Sequence, residues 1–403
     1  RFRSLPFIFA NDNYTLSRIC GDESMKYKLK DLGELFTGNT PSKSNAEFYK
    51  SKDIGFVKPD ILIDGIINEN LNVNEYISER ARKKARIVQA GAIFVTCIGS
   101  IGKIGIADKE LAFNQQINAI LPNEKVYPKY LAYCMLQNKK NLQAIANAPI
   151  VPIINKSQFG EIDIEIEENK EKQFQIIKIL EEVSPIIEKR KKQLQQMDKL
   201  VKARFLELFG DVKETCEVGF YIRSLIAGKS LAGENECENK VLKTGAVSFD
   251  CFDITQVKNL PLDYEPKEEH LVNRGDIIIS RMNTAELTGA AAYVWNVPER
   301  VYLPDRLWKA TIRDGCNPIF VWQMLIQPST KRQIQRACSG TSGSMKNISK
   351  AGMLGIKVKK VPLELQEQFA AFVAQVNKSK VIIQKALDET QLLFDSLMQK
   401  YFG

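Results

Sequence analysis

Two stretches of this chain carry the same apolar register, and that duplication limits the available folds more than any other feature. Ile176, Leu180, Val183, Ile187, Arg190, Leu194, Met197, Val201, Arg204 and Leu208 follow one another at alternating steps of four and three, which is a heptad seam. Phe369, Val373, Val376, Lys380, Ile383, Leu387, Thr390, Phe394, Leu397 and Tyr401 repeat those steps, each 193 residues after its counterpart. Charges on the seam are few and not shared: Arg190 and Arg204 correspond to Ile383 and Leu397, and Lys380 to Ile187. Both stretches end alike, in Phe209-Gly210 and Phe402-Gly403. A lone heptad run reads as an ordinary bundle helix. Two equal runs, each about 50 Å long at 1.5 Å per residue, most simply bury their seams on each other. Neither holds an interior glycine, and Pro185 marks a kink near the start of the first.

The regions before the helices repeat more faintly. Tyr27-Lys28-Leu29 opens one copy and Tyr221-Ile222-Arg223 the other. Gly91 and the strand 92–96 correspond to Gly275 and the strand 276–280, a turn glycine followed by a β-rich buried run. A glycine-rich bend and a second strand come next, 99–106 against 288–294. A polar group then introduces a third strand, 114–120 against 304–312, and short helices follow at 130–137 and 319–326. Finally Ile154-Asn155-Lys156 matches Ile348-Ser349-Lys350. Each copy therefore reads as a mixed α/β globule delivered onto a long helix.

Only about ten residues separate the first helix from the second globule, so that globule belongs beside the carboxyl end of the first helix. Parallel pairing would ask one globule to span about 50 Å, so the pairing is expected to be antiparallel. The expectation is an α+β chain with pseudo-two-fold symmetry: a lead-in (1–24), a first globule (25–165), a helix (166–210), a second globule (211–361) and a second helix (362–403), the two helices forming an antiparallel coiled coil.

Composition narrows the chemistry. Lysine plus arginine exceed aspartate plus glutamate by 57 to 48, a net charge of +9 that leans towards polyanionic partners. With a single histidine, His270, the chain is a poor vehicle for Ser-His-Asp triads, Cys-His dyads or His-rich metal sites. The eight cysteines show no C-x-x-C pair and fit a reduced, cytoplasmic protein. No apolar run approaches the roughly 20 residues that cross a bilayer, so no membrane partner is expected.

In its order of globule, long helix, globule, long helix, with the turn and strand signatures of Gly91 to Gly105 and Gly275 to Ala292, the chain resembles the DNA-specificity subunit of type I restriction-modification enzymes. The resemblance covers Met25 to Gly403. It implies that the globules are target-recognition domains and the helices spacers, and that the target is bipartite double-stranded DNA with one half-site per globule. It also implies two copies of an adenine methyltransferase subunit and two of a motor-nuclease subunit as partners. Because the globules differ strongly in sequence, the half-sites are expected to differ.

Candidate DNA-binding residues follow from side-chain chemistry. In the first globule Arg80, Lys83 and Lys84, in a basic run with Arg82 and Arg86, suit phosphate neutralisation, the alternative being a solvated face. Lys58, Ser100 and Lys103 sit beside a proline or in the glycine-rich bend, where backbone approaches a phosphate closely. Gln115 and Gln116 carry amides fit for adenine, with one of the two pointing inward by strand alternation, and Lys156 joins them. In the second globule Arg281, Asn283, Arg306 and Lys309 combine guanine-capable and adenine-capable groups. The small, flexible loop with Ser342, Ser344 and Lys346, flanked by Arg336 and Lys350, reads as DNA-facing or as a surface linker.

No catalytic, metal or cofactor motif stands out. Ala227-Gly228-Lys229-Ser230 imitates the end of a phosphate-binding loop, but the upstream glycine is Arg223 and no strand-loop-helix context supports it. Gly99 to Gly105 does not fit a dinucleotide fingerprint. No Asn-Pro-Pro-aromatic methyltransferase signature is present. The chain is expected to be a non-catalytic specificity subunit. The alternatives are a self-contained nucleic-acid-modifying enzyme and a scaffold that binds only proteins.

Overall fold

The computed structural model describes residues 24–146, 152–339 and 345–403. It divides into two compact units, one made of 1–191 with 385–403 and the other of 192–384.

In the first unit a five-stranded sheet runs in the order Gly33–Thr37, Ile117–Pro122, Ile93–Thr96, Ile104–Ile106, Ile67–Asn68. A second sheet orders Tyr76–Ile77, Ile54–Val57, Leu111–Phe113 and Ile87–Val88. The strands are short and almost wholly apolar because both faces are covered, and Ile93 to Val95 and Ile117, Ala119 and Ile120 are completely buried. Ser24–Lys28 pairs antiparallel with Asp163–Glu167, and Ser24 sits opposite Glu167. Ser24, placed in the lead-in by the sequence, is thus already part of the ladder, since its backbone pairs there. Residues 1–23 lie outside the described residues.

The second unit repeats the central plan. Its main sheet orders Ile222–Ala227, Leu307–Ile312, Ile277–Ser280 and Ala291–Tyr293, matching the first four strands of its counterpart. Lys240–Leu242 joins Val257–Asn259 and Val301–Tyr302 in a smaller sheet, and Thr215–Glu217 pairs with Lys357–Lys359. Short helices Pro128–Gln137 and Pro318–Leu325 occupy equivalent places, each opened by a proline at a position with no hydrogen bond to lose.

The long helices span Lys170–Phe209, passing through Pro185, and Leu363–Phe402. Asn169 starts the first by accepting from the N–H groups of Glu171 (2.9 Å) and Lys172 (3.2 Å). All twenty seam positions are buried or half-buried. In the first unit, Lys129 on the short helix pairs with Glu181, and Tyr133 of the same helix packs on Phe394. Farther along, Arg190 donates to the Ala386 carbonyl and the Thr390 hydroxyl. In the second unit Lys380 meets Asp198 at 2.7 Å and Phe205 packs on Phe369 with ring centroids 5.4 Å apart. Partner numbers fall as helix numbers rise in both units, so the helical segments pair antiparallel in each. The charged seam residues are accommodated because each finds a partner: besides Arg190 and Lys380, Arg204 pairs with Glu207 at 2.8 Å on its own helix.

The shared helix endings also have a structural reason. In the second unit Phe209 is fully buried among Phe205, Phe320 and Phe369, and within the first unit Phe402 packs on Tyr130 and Tyr133 of the short helix. Among the described residues no helix is long and apolar enough to cross a membrane.

Candidate nucleic-acid interface

Four segments converge at one edge of the main sheet in each unit, and the two edges are built by the same backbone bonds. In the first unit Cys97 N–H donates to the Gln116 carbonyl (2.8 Å), and Ile154 N–H donates to the Cys97 carbonyl (2.9 Å). In the second, Arg281 N–H donates to the Arg306 carbonyl (3.0 Å), and Ile348 N–H donates to the Arg281 carbonyl (3.1 Å). Cys97 and Arg281 are therefore equivalent positions, and so are Gln116 and Arg306. The fourth segment leaves the first strand at Gly38 or Gly228. A Cβ there would lie 2.0 Å from the Asn114 carbonyl oxygen or 1.9 Å from that of Leu303, so only glycine lets the chain pass.

The bend after the central strand is tight in both copies. Gly102 N–H donates to the Thr96 carbonyl at 2.9 Å and Gly289 N–H to the Ser280 carbonyl at 2.7 Å, both glycines at positive φ. Thr96 and Ser280 are fully buried. The Thr96 hydroxyl donates to the Ser100 carbonyl and accepts from Lys103 N–H at 3.0 Å, which holds Ser100 outward. Ser100 and Lys103 line a cleft of about 460 Å³ with Asp64, Gly99, Gln143 and Pro152, and the Lys103 ammonium donates to the Pro59 carbonyl at 3.3 Å.

On the first edge Gln115 is exposed and accepts from the Thr40 hydroxyl at 2.7 Å, whereas Gln116 is half-buried and accepts from the Asn114 amide at 2.9 Å. Asn39 donates to the Lys84 carbonyl at 2.6 Å, tying the basic turn Glu79–Lys84 to this edge. Lys83 and Lys84 are exposed there. Other basic residues are already partnered: Arg80 with Glu47, Lys58 with Glu75, and Arg82 with Glu79 and Glu110. Lys156 is exposed at the start of the helix Lys156–Gly160.

On the second edge Arg306 is exposed, while Arg281 is half-buried with its guanidinium 5.5 Å from the Trp308 ring centre. Among the described residues its Nε is buried without a hydrogen-bond partner, as are Ser280 Oγ, Trp308 Nε1 and Asn347 Oδ1 close by. Asn283 pairs with Lys346 in a short ladder. Arg336 and Lys350 are exposed at the end and start of neighbouring helices, Pro328–Ala337 and Lys350–Leu354. Ser342 and Ser344 lie outside the described residues. Lys309 does not join this edge: it is largely buried, donating to the Leu271 carbonyl at 2.6 Å and 3.9 Å from Asp276. Trp308 is core, with 1% of its surface exposed.

Sequence reasoning passed over Asn39, Thr40 and Ser230. Ser230 donates to Asp305 beside Arg306, so the glycine-lysine-serine run is an edge segment and no helix follows it. The signal was the position of Gly38-Asn39-Thr40 and Gly228-Lys229-Ser230 directly after matching strands. Burial pushes the Cys97 thiol up to about 12, which keeps it protonated and unsuited to nucleophilic work. Among the described residues no group of three metal-ligating side chains is assembled.

Residues 21–196 match the family model described as type I restriction modification DNA specificity domain. The chain is 32% identical over 140 residues to the HindI specificity subunit of Haemophilus influenzae, a type I restriction enzyme, covering 34% of this chain and 30% of that protein. It is 30% identical over 186 residues to the MjaIX specificity subunit of Methanocaldococcus jannaschii, covering 45% and 42% respectively. The chain thus spans less than half the length of these curated relatives. The crystal structure of a type I restriction-modification S subunit from M. genitalium has the same fold, with a TM-score of 0.59 at 16% identity, over 94% of this chain and 96% of that one.

Proposed function

We propose that the chain is the sequence-specific DNA-binding subunit of a type I restriction-modification complex, a reading supported by the match of residues 21–196 to the DNA specificity domain of that family and by the specificity subunits it resembles. In this reading it recognises an asymmetric bipartite site on double-stranded DNA and scaffolds two methyltransferase and two motor-nuclease subunits. It performs no chemistry itself.

The observation that carries the reading is the pair of equivalent sheet edges with unlike side chains. Cys97 and Gln116 on one edge correspond to Arg281 and Arg306 on the other. An amide matches the N6/N7 pattern of adenine and a guanidinium the O6/N7 pattern of guanine, so equivalent edges read different bases. Lys83, Lys84 and Lys156 in one unit and Arg336 and Lys350 in the other hold the phosphates, which positions the edges without specifying sequence.

The test is to co-express the chain with its cognate methyltransferase and map methylated adenines across a genome. Modification confined to one two-part motif with unlike halves is the expected result. Methylation scattered without such a motif would overturn the reading.

A further inference from the structure

A buried glutamine ties the start of each long helix to its own globule, and the two joints are built alike. Gln173 and Gln366 stand four residues into their helices, 193 residues apart, and are 0% and 1% exposed. Gln173 Oε1 accepts from the N–H of Tyr127, which opens the short helix Pro128–Gln137, at 3.0 Å. Its Nε2 donates at 2.6 Å to the carbonyl of Glu167, the last residue of the strand leading into the long helix. Gln366 Oε1 likewise accepts from the N–H of Asn317, which opens Pro318–Leu325, at 2.9 Å. Its Nε2 donates to the Val361 carbonyl, just ahead of its helix, at 2.8 Å. Gln173 adds a third bond, to the Lys125 carbonyl at 3.0 Å.

One side chain thus fixes three things together: the start of the long helix, the chain entering it, and the amino end of the short helix packed beside it. Apolar packing is non-directional and tolerates a small rotation. Hydrogen bonds to backbone groups at fixed places do not, because tilting the joint leaves a buried N–H or carbonyl unpaired. Neither glutamine touches the segments that form the candidate DNA-reading edges.

We propose that Gln173 and Gln366 are positioning residues that set the angle of each globule on its helix, and so fix the number of unspecified base pairs accepted between the half-sites. The proposal rests on the bipartite reading above. One base pair more or fewer moves a half-site by about 3.4 Å along the duplex and rotates it about the axis. A joint that tilts can follow such a shift; one held by these bonds cannot.

The variants Gln173→Leu and Gln366→Leu, singly and together, are co-expressed with the methyltransferase subunits and adenine methylation is mapped. Both half-site sequences should stay as in the wild type, while sites with one base pair more or fewer become modified. The preference for the native spacer should fall by about tenfold, the scale on which a lost buried hydrogen bond acts. Amide exchange should quicken at Tyr127 only in the first variant and at Asn317 only in the second. If a leucine variant does not assemble, Gln366→Met, closer in length and flexibility, carries the same test. Assembled variants that keep the native spacer, even with a lowered Tm, overturn the proposal. That result differs from a wild-type complex that modifies no two-part site, which would overturn the function it rests on.

Discussion

Cys97 and Arg281 occupy one position in two copies of the same sheet edge, yet one is a small buried thiol and the other a cation laid over Trp308. If these edges read bases, Arg281→Ala or Arg306→Ala should relax the preference of one half-site by about 1–3 kcal/mol and leave the other unchanged, as methylation mapping or competition binding shows directly. The place of these arginines was legible in the sequence because a charged residue next to a strand end is a local pattern. The burial of Lys309 was not, since it depends on Leu271 and Asp276, which come from a different part of the chain. The pairing of Arg82 with Glu110 was hidden for the same reason. His270 carries a further expectation. Burial holds its pKa below the ordinary 6.5, with Glu269 opposing and Lys267, Lys309 and Lys229 assisting. The unfolded chain therefore binds a proton that the folded chain resists, so the contribution is fully present above about pH 6.5 and is lost as pH falls through the folded value. Denaturant midpoints should drop on acidification below that pH, and less steeply in His270→Gln.

At the scale of elements, the helix ends matter more than their charged flanks. Phe209 is fully buried against Phe205, Phe320 and Phe369, so Phe209→Ala should cost about 3–5 kcal/mol in urea unfolding of the full chain. Lys380 and Asp198 are partly exposed, and breaking that pair should cost under about 1 kcal/mol. The seam itself was readable because a heptad is a periodic signal within one segment, and even its charged positions proved compatible with the interface. Gln173 and Gln366 escaped notice because one polar residue in the first turn of a helix looks like ordinary surface. Only the hydrogen bonds to Tyr127 and Asn317 distinguish it. Helix continues through Pro185, from Lys170 to Phe209.

For the whole molecule, the proposed function makes the helices a spacer. Inserting seven residues in each, at corresponding seam positions, adds about 10 Å while preserving the heptad register. The unspecified segment of the DNA site should then lengthen by about three base pairs, and a methylome from the lengthened chain checks it. In the same reading, basic residues with no carboxylate partner among the described residues act at this scale too. Lys83→Ala and Lys84→Ala should weaken binding to all sequences alike, and each should lessen the slope of log affinity against log salt by about one.

The division into units has a consequence for synthesis. One unit, 192–384, is a single stretch of chain, but the other needs 385–403 to complete what 1–191 begins. Until residues 385–403 leave the ribosome, Tyr130 and Tyr133 lack Phe394 and Phe402, and Arg190 lacks the Ala386 carbonyl and Thr390. At about 5–20 residues per second, that wait lasts about 10–40 s, with aromatic surface open to chaperones or to aggregation. Residues 1–191 are thus made before the segment that completes their unit, and a chain cut short anywhere before Lys385 lacks that segment altogether.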